Sequence, residues 1–285
     1  MQMPLQVFEP HKAKLPALGP YIKEVWRRRA FAMELARYSE KAEYLGSRLG
    51  AIWLVLNPLF LALVYFLLVT VIRGGKTNGF VTLAHILTGL FVFYLAQNCI
   101  NAGAQSITSG GRLILNQAFP RTILPLSSAI SAVRQFAPTI PVYIAIILVG
   151  KWLSPNTDLP GWTWSYLLLP LIWISIIITS FGMALFFATF NVYFRDTSKL
   201  LTYIMRIWLY ASPVLWLPDM LSGWHRALLY INPLGPAIAG NAEIWINGHA
   251  PTTAQWWGIL GWMFASLGIG GYIFTSRERN FAVQI

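Results

Sequence analysis

Long apolar runs, separated by short polar or glycine-rich stretches, dominate the chain from residue 51 onward. A helix needs about 20 apolar residues to cross the hydrocarbon core of a bilayer. Six segments meet or approach that length: 51–72, 83–105, 126–150, 165–190, 200–217 and 254–275. Asn57-Pro58 interrupts only the first, and the polar stretch Arg195-Asp196-Thr197-Ser198-Lys199 precedes the fifth. Residues 218–253 break the pattern, being too polar and too rich in Pro and Gly for a span yet too apolar for a free loop. Unpaired backbone cannot face lipid, so this region is expected to fold as one or two short re-entrant helices, with an amphipathic surface loop as the alternative. Ahead of the first span, Ile22, Val25, Trp26, Ala30 and Met33 share one arc at about 100° per residue, with Lys23, Glu24, Arg27 and Arg28 away from it and Arg29 intruding. That periodicity over 21–37 predicts an amphipathic helix lying in the membrane plane. The expected architecture is an all-α polytopic membrane protein: a cytoplasmic segment over 1–50, a transmembrane region over 51–275 and a short tail over 276–285.

Composition removes the competing classes. Of the 285 residues, 56% are hydrophobic and 11% charged, less than half the roughly 25% charge of soluble domains. A soluble enzyme, a disordered chain and a collagen-like fibre are excluded. The net charge of +11 changes meaning once it is divided along the chain. Nine basic residues, Lys12 and Lys14 among them, fall in 1–50, and Arg112, Arg121, Arg195, Lys199, Arg277 and Arg279 fall in later segments on the same side. Only Arg73, Lys76, Lys151 and Arg226 fall on the other, so fifteen face four. This asymmetry places both termini in the cytoplasm. The basicity is an orientation and headgroup signal, and no nucleic-acid partner is expected. The first long apolar run begins near Ala51, so no signal peptide is expected, and the lone Cys99 excludes an intramolecular disulfide.

Candidate chemistry is sparse. Gly75-Lys76-Thr77 resembles the end of a phosphate-binding loop, but Thr70 stands where that loop needs its first Gly. His11, His85, His225 and His249 are scattered without metal-ligand spacing. Asp158, Asp219 and Glu243 lie in outer segments and Asp196 in an inner loop, so no acid sits mid-span, where ion-coupled carriers usually place one. Motive force is therefore expected from a partner or from the substrate gradient. The spans are instead rich in aromatics, including Phe60, Tyr65, Phe91, Tyr94, Trp173, Phe181, Tyr203 and Trp208. Sugar rings stack their C–H faces on aromatic planes, so an aromatic-lined passage suits a glycan. Lipid-facing and interhelical packing is the alternative for each residue singly.

Three stretches together carry a resemblance. Tyr44 through Asn57-Pro58-Leu59, with Gly50 and Trp53 between, is similar to the entry into the first span of ABC-2 type polysaccharide exporter permeases. Asn191–Leu201 followed by Ser212-Pro213-Val214-Leu215-Trp216 resembles their fourth-to-fifth connection, and Tyr230-Ile231-Asn232-Pro233-Leu234 their outer Asn-Pro-Leu segment. The resemblance implies a permease, not an enzyme, that pairs as a homodimer in the bacterial cytoplasmic membrane. Two copies of a separate ATPase subunit would bind ATP and Mg, leaving this chain without a cofactor. The cargo would be a polyprenyl-pyrophosphate-linked glycan of O-antigen, teichoic acid, capsule or galactan type, moved in steps through a channel between protomers. By the same resemblance, Arg112, Leu113, Asn116, Gln117 and Arg121 belong to a loop that docks on the ATPase, and Arg195, Asp196 and Lys199 to a second, smaller contact. Arg27, Arg28 and Arg29 would hold the pyrophosphate; anchoring to bulk anionic lipid is the other reading. Where many relatives carry an Arg after the outer Asn-Pro-Leu, this chain reads Asn241-Ala242-Glu243, and that Arg's role is not carried over. An ABC-2 exporter of lipids or drugs, a membrane-embedded glycosyltransferase and a structural subunit remain as alternatives, although no DxD motif supports the enzyme.

Overall fold

The computed structural model describes residues 17–44, 48–72, 79–153, 160–161, 163–217 and 220–284. Lys12, Lys14, His11, the Gly75-Lys76-Thr77 stretch, Asp158 and Asp219 lie outside the described residues. Among the described residues every regular element is helical. Five segments are long and apolar enough to cross a membrane: Gly50–Ile72, Gly79–Ser109, Ile123–Gly150, Trp164–Tyr193 and Thr253–Gln284.

Two helices, α1 (Leu18–Arg27) and α2 (Arg29–Tyr44), precede the first span, where one amphipathic helix is expected. The break falls at Arg28, whose backbone leaves helical geometry at φ −95° and ψ 15°. Helix α3 (Trp53–Ile72) then leads to α4 (Gly79–Ser109), the hub of the bundle. Helix α4 packs against α3 and against later helices that include α6 (Ile123–Phe136), α8 (Leu169–Tyr193), α9 (Thr197–Ala211) and α11 (Gly235–Ala242). Its residues 84–93 are buried without a gap, as expected of a helix with neighbours on every side. The third span is broken into α6 and α7 (Thr139–Leu153) at Pro138, which brings no backbone N–H. The Thr139 hydroxyl donates to the Phe136 carbonyl at 2.7 Å, so the kink leaves that oxygen satisfied inside the membrane.

The fifth expected span is the one that differs most. Helix α9 has 15 residues, about 22 Å of rise against the roughly 30 Å of a bilayer core. It stops because Ser212 precedes Pro213 and is forced into extended backbone, with φ −96° and ψ 151°. The short helices α10 (Arg226–Ile231) and α11 follow, then a π-helical turn over Glu243–Asn247. Helix α11 is buried along its whole length. Asn232 ties this region to the end of α9. Its Oδ1 accepts from Trp208 Nε1 at 2.7 Å and from the Leu234 N–H at 3.0 Å. Its Nδ2 donates to the Ala211 carbonyl at 3.2 Å and to Ser212 Oγ at 3.0 Å. That four-bond set is what the Asn of the Asn232-Pro233-Leu234 segment does.

The last span, α12 (Thr253–Arg277), starts from a capping box between Thr252 and Gln255 and lies along α8. Small residues permit the approach: a methyl group on Gly270 would run into the Gly182 carbonyl, and one on Gly182 into the Ser266 backbone. A short helix, α13 (Phe281–Gln284), ends the described chain. Gly270→Ala is expected to destabilise the bundle by about 1–3 kcal/mol through overpacking. Gly271→Ala, where the added carbon meets nothing within 4 Å, is expected to be neutral or slightly stabilising. Melting curves of the detergent-solubilised variants check the pair, and equal midpoints would count against the α8–α12 packing.

Candidate functional site

At one end of the bundle the chain between α4 and α6 folds as a short helix, α5 (Gly111–Asn116), followed by an extended return. Helix α5 buries Gly111 and Ile114 and turns Arg112, Leu115 and Asn116 outward. Leu115 is 65% exposed, an apolar knob flanked by polar groups on one helix face. The return is gripped from two sides. On the first, the Phe119 ring is buried edge-on against Phe31 of α2 at 5.6 Å, and Arg28 donates to the Ala118 carbonyl at 3.1 Å. On the second, Glu278 is buried past the end of α12 and accepts from the Arg121 N–H at 2.5 Å and from the Tyr21 hydroxyl at 2.6 Å. Tyr21 also meets Thr122 Oγ1 at 2.5 Å. Burial, and then the charge of Glu278, pushes the Tyr21 phenol well above its ordinary pKa, so it remains a donor. One carboxylate thus joins α1, the α5 return and the last span.

The three arginines of α1 and its junction are not equivalent. Arg28 is held by Glu24 at 2.6 Å as well as by Ala118, and its hydrogen bond, reinforced by Arg27, holds the Glu24 carboxyl below the usual carboxylate range. Arg27 pairs with Glu24 at 2.7 Å but stays largely exposed. Arg29 lies over the Trp26 ring at 4.9 Å. Leu18, Ile22 and Trp26 form an exposed apolar stripe beside them, the face such a helix would lay into lipid.

A second feature is the open face of α9. Leu201, Met205 and Leu209 pack inward, while Tyr203, Arg206, Ile207 and Tyr210 are exposed. Arg206 lies 5.8 Å from the Tyr203 ring centre and makes no ion pair among the described residues. The Tyr65 hydroxyl of α3 donates to that of Tyr210 at 3.2 Å, which continues the polar edge onto α3.

The sequence profile of the ABC-2 type transporter family matches residues 37–244, well over half of the chain. The chain belongs to the ABC-2 type transporter family. An O-antigen export system permease protein RfbA of Klebsiella pneumoniae is 27% identical over 208 residues, covering 73% of this chain and 77% of that protein. RfbA of Myxococcus xanthus is 26% identical over 267 residues, covering 93% and 98%. Within this ABC-2 chain the residues singled out from sequence fall into separate groups. Arg112 and Asn116 share the outward face of α5, Gln117 is exposed just beyond it, and Leu113 and Arg121 turn partly inward. Leu115, which the sequence reading passed over, joins the outward face; its position three residues after Arg112 was the available signal. Arg195, Asp196 and Lys199 are exposed before and within the first turn of α9, with only a solvent-facing Lys199–Asp196 pair at 3.5 Å. The eight aromatics do not form one surface. Phe91 is 1% exposed and packs on Tyr143, and Phe181 packs into the core. Trp173 donates to Asn241 at 3.0 Å, as Trp208 does to Asn232, so both tie helices together. Tyr203 and Phe60 are exposed, Tyr65 is buried beneath Tyr210, and Tyr94 borders a cleft.

Glu278→Ala is expected to cost about 1–3 kcal/mol, because the Tyr21 hydroxyl and the Arg121 N–H lose their shared acceptor. Glu278→Gln should also destabilise, since its amide must turn an N–H toward one of two donors. Tyr21→Phe removes the bonds to Glu278 and Thr122 but leaves the Arg121 N–H its acceptor, and should cost less than either. Thermal melting ranks the three, and limited trypsin digestion after Arg112 and Arg121 should accelerate in the same order. Unchanged digestion in Glu278→Ala would sink the tethering role.

Proposed function

We propose that this chain is the membrane subunit of an ATP-driven exporter of lipid-linked polysaccharide in the bacterial cytoplasmic membrane, with both termini in the cytoplasm. Two copies pair, and each docks one copy of a separate ATPase subunit that binds ATP and Mg. The cargo is a polyprenyl-pyrophosphate-linked glycan, in keeping with the O-antigen export named for the relatives. The observation that carries the reading is the uncovered face of α9. A cationic Arg206 flanked by Tyr203 and Tyr210 cannot rest against hydrocarbon at span depth. Facing a second copy across a wet passage satisfies it, and tyrosine faces supply a surface on which sugar rings slide. A polymer too long for a closed cavity needs such a continuous passage.

The opposite end supplies the drive. The Arg112–Leu115–Asn116 face of α5 offers an apolar knob in a polar rim, the usual anatomy of a small docking patch. Because Glu278 and Arg28 bind the α5 return on two sides, a push on α5 reaches α1 and α12 together. Arg195 and Lys199 make the lesser contact, and the exposed Arg27 and Arg29 meet the pyrophosphate where α1 lies on the membrane.

Co-purification of the chain with its ATPase subunit, followed by ATPase assays with lipid-linked glycan, tests the whole. Stimulation by glycan is expected, and a complex indifferent to every lipid-linked glycan would count against the cargo. Leu115→Asp is expected to lower recovery of the ATPase subunit at least tenfold, about 1.4 kcal/mol in binding, while the permease still folds. Tyr203→Ala and Arg206→Leu should leave recovery intact yet reduce glycan export in cells. Full export by both variants would remove α9 from the passage.

A further inference from the structure

Next to the α5 end, α4 continues inward well past the point where α3 begins. Trp53 and Asn57 of α3 share a cavity with Tyr94 and Asn98 of α4, so the α4 face from Asn98 to Ser109 extends beyond the α3 helix. That face looks onto α6 across an open cleft of about 590 Å3, and Asn98, Ala132 and Gln135 also line a smaller adjacent cavity of about 200 Å3 with Trp53. Both sides of the cleft carry polar stripes at helical spacing. Asn98, Asn101 and Gln105 line α4; Ser128, Ser131 and Gln135 line α6. Among the described residues, no Asp, Glu, Lys, Arg or His lines either cavity.

The bonding state of these groups points to the ligand. Asn98 Nδ2 donates to Gln135 Oε1 at 3.0 Å across the cleft, while the Asn101 and Gln105 amides take no partner among the described residues. Ser127 and Ser109 donate to carbonyls of their own helices at 2.7 and 2.9 Å, which leaves their lone pairs to accept. The cleft therefore offers amide donors and a row of acceptors with no net charge, and two aromatics, Trp53 and Tyr94, line the adjacent smaller cavity. Alternating donors and acceptors beside an aromatic plane match a polyhydroxylated ring, whose hydroxyls both donate and accept and whose C–H face is apolar. A phosphate would lack a cation here. The larger cavity falls within the roughly 300–1,000 Å3 of small-molecule sites.

We propose that this cleft binds uncharged sugar residues of the cargo, recognising the hydroxyl array and not one particular sugar. The proposal rests on the export reading and adds a site to it. Gly110 and Leu113, at the start of α5, form part of the cleft wall, so docking events at α5 reshape it. Sugar occupancy and ATPase engagement are then linked through one short helix.

The test uses the full chain in vesicles of phosphatidylethanolamine and phosphatidylglycerol. Ser128→Cys, or Ser131→Cys if the first folds poorly, is labelled with a membrane-impermeant methanethiosulfonate, with buried Cys99 as the inert reference. Labelling is expected, since the cleft is wet. A dodecyl-linked oligomannoside should slow it about tenfold at roughly ten times its Kd, and dodecyl phosphate should not. Asn98→Leu combined with Gln135→Leu should abolish the protection and leave labelling. A cysteine that never labels, or one protected equally by both amphiphiles, would overturn the sugar site. A complex whose ATPase responds to glycan while the cleft stays unprotected loses the cleft alone; absence of any glycan response removes the export reading itself.

Discussion

Hydrocarbon leaves a polar side chain three options: pairing, burial among partners, or a water-filled space. Several polar residues of this chain take the first option and fasten its helices together. Asn232 takes four hydrogen bonds and so closes the end of α9 against the α10–α11 region. Asn241 receives the Trp173 indole, and the buried Tyr143 hydroxyl donates to the Thr88 carbonyl at the kinked third span. Each of these removes a polar group from lipid by fastening one helix to another. Among the described residues Arg206 and the Asn101 and Gln105 amides have no such partner, and they stand on the exposed face of α9 and in the α4–α6 cleft.

The same logic shapes the α5 end. Glu278 is tolerated in a buried position because a hydroxyl and a backbone N–H complete its hydrogen bonds, and in doing so it brings together residues 157 and 257 positions apart. Arg28 does the corresponding work from the other side. A short helix held this way transmits displacement better than a free loop, because its tethers end on separate elements. The exposed pairs nearby, such as Lys199–Asp196, add little to stability.

Lipid imposes length and composition on a span, so α3, α4, α8 and α12 are legible as apolar runs within a few residues of their ends. The end of α9 is harder to read. Its apolar run continues to Leu217; Pro213 forces Ser212 out of the helix, and the capture of the freed Ala211 carbonyl by an Asn some twenty residues later is visible only in the fold. The candidate sites divide likewise. Periodicity shows that Arg27, Arg28 and Arg29 precede a span, but only the contact with Ala118 separates Arg28 from its neighbours. An aromatic in a helix reads alike whether it stands exposed, as Tyr203 does, or fastens helices, as Trp208 does. The polar stripes of α4 and α6 are visible in sequence one at a time; that they face each other is a tertiary fact.

Helix α4 links these parts. Its Gly103 lies so close to Ala184 that a methyl group would collide, which locks it to α8. Ile100 and Ala104 pack on Leu201 and Met205 of α9, while Asn98, Asn101 and Gln105 present a different face to the cleft. Gly110, pressed against Leu124 where a side chain would not fit, joins α4 to α5. Close-packed interiors answer a push by discrete rearrangement and not by smooth deformation. A displacement of α5 that passes Gly110 therefore reaches the one helix that both lines the cleft and packs on α9.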